Sequence, residues 1–520
     1  MSSRDVKRVL FSGDEAVAQG AYEAGVKVAA AYPGTPSTEI LQYLARFKEI
    51  DSQWSVNEKV AFEVALGAAI GGARALYASK HVGVNVAMDP MMTASYTGIN
   101  AGFVIIGCDD PGLHSSQNEQ DNRILAQAAK IPLLEPSSAQ EAHSFVQEAF
   151  RLSEQFDTPV YVRMTTRICH SKEDIVIGKR KELPMKPFKI DVAKYVMVPG
   201  YAYQRHIILE ERLKDLKRYS NSSSLNVMEV RDPKIGVITS GSAYLYVKEM
   251  LPQASVLKLG MSFPFPGDLV KAFAAEVEKV IVIEELDPFI EDKVRALGIP
   301  CAGKDRSFRI GELRPEHIPL ILEGKTKEPE VFSGRKPSLC PGCGHRMVFN
   351  VLKELKVAVS GDIGCYTLGV EPPFSSIHTC VCMGAGVTMF EGLRRAGNDH
   401  VVGVIGDSTF VHSGITGLIN AAYNKVTGVI IILDNSITAM TGGQPHPGVG
   451  VTLKGEKTKK LSLEAICQAS GADHVDVIDP AQVKDLTKLL QKRMGQKKLS
   501  VIIARRPCKL LMDKQAKGKA

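Results

Sequence analysis

Two short stretches near the end of the chain hold residue types that together suit a metal-bridged diphosphate. Gly406-Asp407-Ser408 closes the apolar run VVGVI (401–405), and Asp434-Asn435-Ser436-Ile437 closes VTGVIIIL (426–433). A carboxylate from Asp407 and an amide oxygen from Asn435 are hard donors, and the Ile437 backbone carbonyl is a third. Such oxygens fit Mg²⁺, which keeps an octahedron and bridges phosphate groups. The same dipeptides are also ordinary turn chemistry at strand ends, so the pair gains weight only from what positions it and from a second element. That element is Glu58, at the head of the Ala- and Gly-rich segment SVNEKVAFEVALGAAIGGARAL (55–76). A carboxylate there either handles a proton or complements the field of a helix N-terminus. Glu63, further along, is a weaker rival.

Position follows from pattern. The runs before Asp407 and Asn435 have strand length, and HSGITGLINAAYNK (412–425) between them reads as one helix. A strand–helix–strand unit crosses over right-handed with parallel strands. Asp407 and Asn435 therefore arrive side by side at one carboxyl edge, beside a helix N-terminus that favours an anion. A third constellation is made of thiols. Cys340-Pro-Gly-Cys343 precedes a helix, Cys365 follows a strand, and Cys508 comes soon after the strand SVIIA (500–504). Four cysteines so spaced can close a tetrahedral thiolate site around a cluster or zinc, and buried thiols beside a tight turn are the structural alternative. Cys108, Cys169, Cys301, Cys380, Cys382 and Cys467 stand in apolar or loop contexts and are assigned to packing.

Composition bounds the class. The chain has 520 residues, too many for a single core, so three domains are the natural expectation. It is 44% hydrophobic and 23% charged with a net charge of +7, ordinary for a globular protein. Its basic residues fall in short solvated runs without interleaved aromatics, which argues against nucleic acid. The start MSSRDVKRVLFSGDEAV is charged throughout and no apolar run reaches membrane length. A cytoplasmic protein is expected, with its ten cysteines as thiols or ligands rather than disulfides.

Along residues 1–185 helical and strand-like runs alternate (VKVAAAYP, HVGVNVAM, GFVIIGCD, IPLLEP, TPVYVRM), which means a parallel sheet covered on both faces. Residues 186–231 read as linker plus the helix HIILEERLKDLKRY. A smaller α/β region follows at 232–325, then a third α/β domain at 326–512 and a disordered tail, 513–520. Substrate-end candidates are Gly34-Thr35-Pro36, in a loop after a strand, and the polar loop DDPGLHSSQNEQDNR (109–123). Arg123 there is a candidate carboxylate clamp and His114 a candidate proton shuttle, against capping or solvent-facing roles. Thr441-Gly442-Gly443-Gln444 is a place where glycines let backbone approach a ligand.

The segments YPGTPSTEI (32–40), 57–90, CPGCGHR (340–346), GDIGCYTLG (361–369), 406–425 and DNSITAMTGGQPHPG (434–448) resemble the 2-oxoacid:ferredoxin oxidoreductases in the same order over nearly the whole chain. The resemblance is strongest to the alpha subunits of the indolepyruvate branch. It implies two thiamine diphosphate-binding domains, an aminopyrimidine-binding one at 1–185 and a diphosphate-binding one at 326–512. Between them the region 232–325 resembles the transketolase C-terminal domain.

It further implies thiamine diphosphate on Gly34, Thr35, Glu58, Gly406, Asp407, Ser408, Asn435, Thr441 and Gly442, and Mg²⁺ on Asp407, Asn435 and Ile437. Glu58 would hydrogen-bond the aminopyrimidine and relay the proton that activates C2. Cys340, Cys343, Cys365 and Cys508 would hold one [4Fe–4S] cluster. Implied partners are a smaller subunit, ferredoxin or another carrier, coenzyme A and an aryl pyruvate, with a dimer of this chain inside a hetero-oligomer. One departure from such subunits is expected: this chain stops soon after Cys508, so the two cluster motifs of a ferredoxin-like segment would be on a partner, or the chain would be a variant with another acceptor. A non-oxidative 2-oxoacid decarboxylase is the alternative activity, and a non-catalytic scaffold the alternative of another kind.

Overall fold

The computed structural model describes residues 7–328 and 337–517, in two compact units spanning 1–331 and 332–520. The link around 329–336 and the last three residues lie outside the described residues.

The first unit is built on a seven-stranded sheet. Its order is Met261–Phe263, Leu133–Leu134, Val160–Thr165, Phe103–Asp109, Ala75–Lys80, Val28–Ala31, Asp51–Trp54. All neighbours are parallel except the first pair. The central strands are buried on both faces, which is why they read as continuous apolar runs rather than alternating ones. Helix Gly13–Glu23 starts from a capping box, with Ser12 and Glu15 exchanging side chain–backbone hydrogen bonds. A second sheet in this unit runs Cys301–Ala302, Val280–Ile283, Asp232–Thr239, Ala254–Lys258, Val227–Glu229.

Three expectations change here. HVGVNVAM is not a strand. Ala75–Lys80 occupies that place in the sheet, and His81–Val86 and Met88–Thr97 are helices. The alternating valines carry a strand period, and a sheet position already filled decides against the strand. The helix expected within 186–231 is present and longer than read from the sequence, Pro199–Ser222 with 24 residues. Its Arg205 and Arg212 donate to the carbonyls of Tyr96 and Ser95, the last turn of Met88–Thr97, at 2.7 Å each. Finally, strand Met261–Phe263 of the middle region pairs with Leu133–Leu134, so the two sheets of this unit share a seam.

The second unit has a parallel sheet ordered Ala358–Ser360, Val401–Gly406, Gly428–Asp434, Leu499–Arg505, His474–Ile478. Ile430, Ile431 and Ile432 are wholly buried, each contributing about 1.5–3 kcal/mol through the hydrophobic effect. The expected helix after Val401–Gly406 begins earlier, at Asp407, and runs through a π-helical turn, Phe410–Gly414, into Ile415–Tyr423. Such wide turns concentrate at functional sites. Of the tail expected to be disordered, residues 513–517 belong to helix Lys509–Lys517, and the rest lie outside the described residues. Among the described residues no helix is long and apolar enough to cross a membrane.

Candidate functional site

In the second unit, Gly406 pairs with Leu433 across the parallel ladder, so the turns after both strands meet at one edge. Asp407 is buried there. Its Oδ1 accepts from the Ser408 N–H at 2.8 Å, and its Oδ2 accepts from the Ser436 N–H at 2.8 Å. His446 Nε2 lies 3.2 Å from the same Oδ2. Burial pushes the Asp407 carboxyl up, and the His446 contact works against that.

The neighbouring turn is tight. Ser436 sits at φ 60°, a left-handed conformation uncommon for a residue with a side chain. Asn435 Oδ1 accepts from the Ile437 N–H at 3.1 Å. Thr438 Oγ1 donates to Ser408 Oγ at 2.9 Å, tying the two turns together. Asp407, Ser408, Asn435 and Ile437 thus form a patch of hard oxygen donors at a helix start, a donor set suited to Mg²⁺ and phosphate. Gly442 has φ 114°, a backbone state open to glycine, and Thr441 Oγ1 donates to Gln444 Oε1 at 2.5 Å.

Sequence reasoning passed over Asp362 as a functional residue. It accepts from the N–H groups of Ile363, Gly384 and Gly386 at 2.7, 3.0 and 2.7 Å, and burial raises its carboxyl to about 7. It joins the turn after Ala358–Ser360 to the start of helix Ala385–Arg395. Its signal was present: Gly361-Asp362 repeats the Gly-Asp pattern of 406–407.

All four thiols singled out from the sequence line one cavity of about 80 Å³, with His345 and Asn435 on its wall. The Cys343 N–H donates to the Cys340 carbonyl at 3.1 Å, closing the turn before helix Gly344–Glu354. Cys365 begins the helical turn Cys365–Val370. Cys508 N–H donates to the Asn435 carbonyl at 3.0 Å, and Asn435 Nδ2 lies 3.3 Å from His345 Nε2. The thiol cavity and the Asn435 turn therefore share a wall. Burial, together with the thiols of Cys343, Cys508 and Cys340, pushes Cys365 up to about 12. Burial alone drives His345 down to about 4, so it is neutral at ordinary pH.

In the first unit, Glu58 is the first residue of helix Glu58–Ile70, which Asn57 caps by accepting from the Val60 N–H at 2.9 Å. Glu58 is 5% exposed. A Cβ on Gly83 would stand 2.6 Å from Glu58 Oε1, so the glycine makes room for this carboxylate. Glu63 is exposed and pairs with Lys59. Gly34 and Thr35 lie in the loop between Val28–Ala31 and helix Thr38–Leu44, where Ser37 Oγ donates to the Gly34 carbonyl at 2.8 Å.

Beside this loop is a residue the sequence did not suggest. Lys80, the last residue of Ala75–Lys80, runs past Gly34, where a Cβ would be 3.1 Å from its Cδ. Its Nζ donates to the Ser115 carbonyl at 2.7 Å. Burial lowers its pKa to about 8, against the pull of Asp110 and Glu58.

Arg123 corrects an expectation. It is wholly buried, and its guanidinium is consumed inside the unit. Nε donates to Asp121 at 2.9 Å, Nη1 to Glu284 at 2.6 Å, and Nη2 to the carbonyls of Glu285 and Asp287 at 2.7 and 3.0 Å. Wholly buried and held by these partners, the guanidinium is out of reach of a substrate, and the residue fastens the first sheet to the second. Arg123→Ala is expected to cost about 3–5 kcal/mol by stranding buried carboxylates. Urea unfolding checks this, and unchanged stability would return the clamp to consideration. His114 is half-exposed, 3.8 Å from Glu312, to which Arg167 also binds.

Residues 19–214 match the family described as pyruvate flavodoxin/ferredoxin oxidoreductase, thiamine diphosphate-binding. Residues 362–504 match the C-terminal TPP-binding domain of thiamine pyrophosphate enzymes. Two parallel-sheet modules of these kinds in one chain define a thiamine diphosphate-dependent 2-oxoacid oxidoreductase. Indolepyruvate oxidoreductase subunit IorA of Archaeoglobus fulgidus is 40% identical, with 98% of this chain and 88% of that one aligned. The IorA subunit of Methanothermobacter thermautotrophicus is 39% identical over the same shares, 98% and 88%. The chain belongs to this family, the alpha subunits of indolepyruvate ferredoxin oxidoreductase. The 2-oxoglutarate:ferredoxin oxidoreductase of Magnetococcus marinus shares the fold, with a TM-score of 0.52 at 18% identity over 61% of this chain and 65% of that one. The non-oxidative decarboxylase alternative is not favoured.

Proposed function

We propose that this chain binds thiamine diphosphate through Mg²⁺, holds one [4Fe–4S] cluster, and oxidatively decarboxylates an aryl pyruvate to an acyl-coenzyme A. The observation that carries the reading is the shared wall between the four-thiol cavity and the Asn435 turn, which would put an electron acceptor against the diphosphate end of the cofactor.

When bound, thiamine diphosphate supplies the electron sink that decarboxylation of a 2-oxoacid needs. The chain supplies position and protons. Asp407, Asn435 and the Ile437 carbonyl would hold Mg²⁺; Gly406, Ser408, Thr441 and Gly442 would line the diphosphate. Glu58, buried and fixed by its helix start, would hydrogen-bond the aminopyrimidine and carry a proton to and from it. Gly34 and Thr35 would border the reacting centre. With Arg123 engaged elsewhere, Lys80 is the cation placed beside that loop to hold the substrate carboxylate.

Four thiols around one cavity, two of them from a single tight turn, support a cluster reading, since a cubane presents each thiolate with a different corner iron. Electrons would leave singly through it to ferredoxin or another carrier. A smaller partner subunit, a dimer of this chain and a cytoplasmic setting complete the reading, supported by relatives that are themselves named as subunits.

The test is an anaerobic absorption spectrum with iron and sulfide analysis. Cys365→Ser is expected to lose the visible cluster absorbance while thiamine diphosphate still binds, because the oxygen donors sit on other turns. An iron-free protein with full oxidoreductase activity would refute the cluster. The role of Lys80 predicts that kcat/KM for the 2-oxoacid falls as pH rises through about 8, where the free lysine loses its proton. Lys80→Met should raise KM at pH 7 and abolish that limb; a limb that persists in the variant would place the titration elsewhere.

A further inference from the structure

Where the start of helix Gly13–Glu23 meets the end of strand Phe103–Asp109 and the short helix Thr166–His170 lies a cluster the catalytic reading leaves unused. Asp14 is wholly buried, and among the described residues no N–H or hydroxyl donates to its carboxylate oxygens; only the weak thiol donor of Cys169 stands beside them. Cys108 and Cys169 are also wholly buried, and their sulfurs and an Asp14 oxygen all lie within 4.8 Å of one another. Asp14 also falls within that distance of Glu39 and His170, both exposed, whose ligand atoms lie equally close to each other. The backbone around it is tight: a Cβ on Gly13 would stand 2.1 Å from the Ile168 carbonyl.

A buried carboxylate with only a weak thiol donor is costly as an anion, and burial together with nearby Glu39 pushes Asp14 strongly towards its neutral form against the pull of Cys169. Either it keeps its proton or a cation sits beside it. The neighbours specify which cation. Two thiols and a carboxylate are ligand types of tetrahedral zinc, and sulfurs sharing one zinc stand about 3.8 Å apart, inside the observed limit. Hard cations such as Mg²⁺ and Ca²⁺ take all-oxygen shells and are disfavoured by the sulfurs.

We propose that Asp14, Cys108 and Cys169 form a structural zinc site that pins the first helix of the chain to its sheet. Zinc enters past the exposed Glu39 and His170, and each ion bound releases the two thiol protons and the Asp14 carboxyl proton, so affinity rises with pH. The site is independent of the thiamine reading, and its cysteines are the pair that sequence alone assigned to packing.

The experiment is zinc content by difference in the full chain, with thermal midpoints. The parent, loaded with zinc and dialysed, should retain one more zinc per chain than Cys108→Ser/Cys169→Ser; metal held elsewhere cancels in the difference. Asp14→Asn keeps the side chain's size and covers the case in which the double variant fails to fold. It should weaken zinc retention against a competing chelator at least about tenfold. It should also lower the thermal midpoint with zinc present by clearly more than it changes the midpoint after zinc is stripped, when Asp14 is a neutral carboxyl of the same size as the amide. Equal zinc content in parent and variants, or an Asp14→Asn shift of the same size with and without zinc, would make the cluster a neutral carboxyl among thiols and overturn the proposal.

Discussion

Glu58→Gln is expected to leave thiamine diphosphate bound and to lower turnover by about 10²–10⁴-fold, the range of a positioned acid–base group. The amide matches the carboxylate in size, so the space that Gly83 leaves is still filled, and the Asn57 cap is untouched. What the amide cannot do is share a proton with the aminopyrimidine. Two measurements separate binding from chemistry: a cofactor titration, and hydrogen–deuterium exchange at C2 of the bound cofactor. Exchange at the parent rate would remove Glu58 from the reaction. Glu63 would be a poor heir, being exposed and paired with Lys59.

Asp407→Ala should weaken Mg²⁺-dependent binding of thiamine diphosphate at least about 100-fold. Two effects add. The metal loses its carboxylate, and the N–H groups of Ser408 and Ser436 lose their acceptor, so both turns at the sheet edge loosen. Asp407→Asn distinguishes them, because its amide oxygen still accepts one of those hydrogen bonds while the charge is gone. Binding that recovers in Asp407→Asn would assign the loss to the turns; binding that stays weak assigns it to the metal. Parent-like affinity in Asp407→Ala would remove the metal from this position.

The diphosphate edge was legible because its logic is local. A strand, a helix and a strand joined by short turns leave one handedness, and handedness alone places Asp407 and Asn435 together. The thiol set was half legible. The Cys340–Cys343 turn declares itself, whereas the arrival of Cys365 and Cys508 depends on which strands neighbour Gly428–Asp434. HVGVNVAM misled because its valines at every second position carry the period of a half-buried strand, while the chain there folds as a helix.

By itself, then, the sequence determined what short-range physics determines: the parallel α/β class, the strand ends that carry Asp407 and Asn435, the helix start at Glu58 and the family. Only the tertiary structure decided which polar groups lose water. Arg123 reads as a free cation until Asp121 and Glu284, the latter far along the chain, close around it. Lys80 reads as a strand-end lysine until burial beside Gly34 lowers its pKa to about 8. Asp14 and two ordinary-looking cysteines become a cluster only when one helix start and one strand end are packed together. Periodicity and capping act over a few residues and can be read in order. Desolvation depends on everything that surrounds a group, and those surroundings are assembled from across the chain.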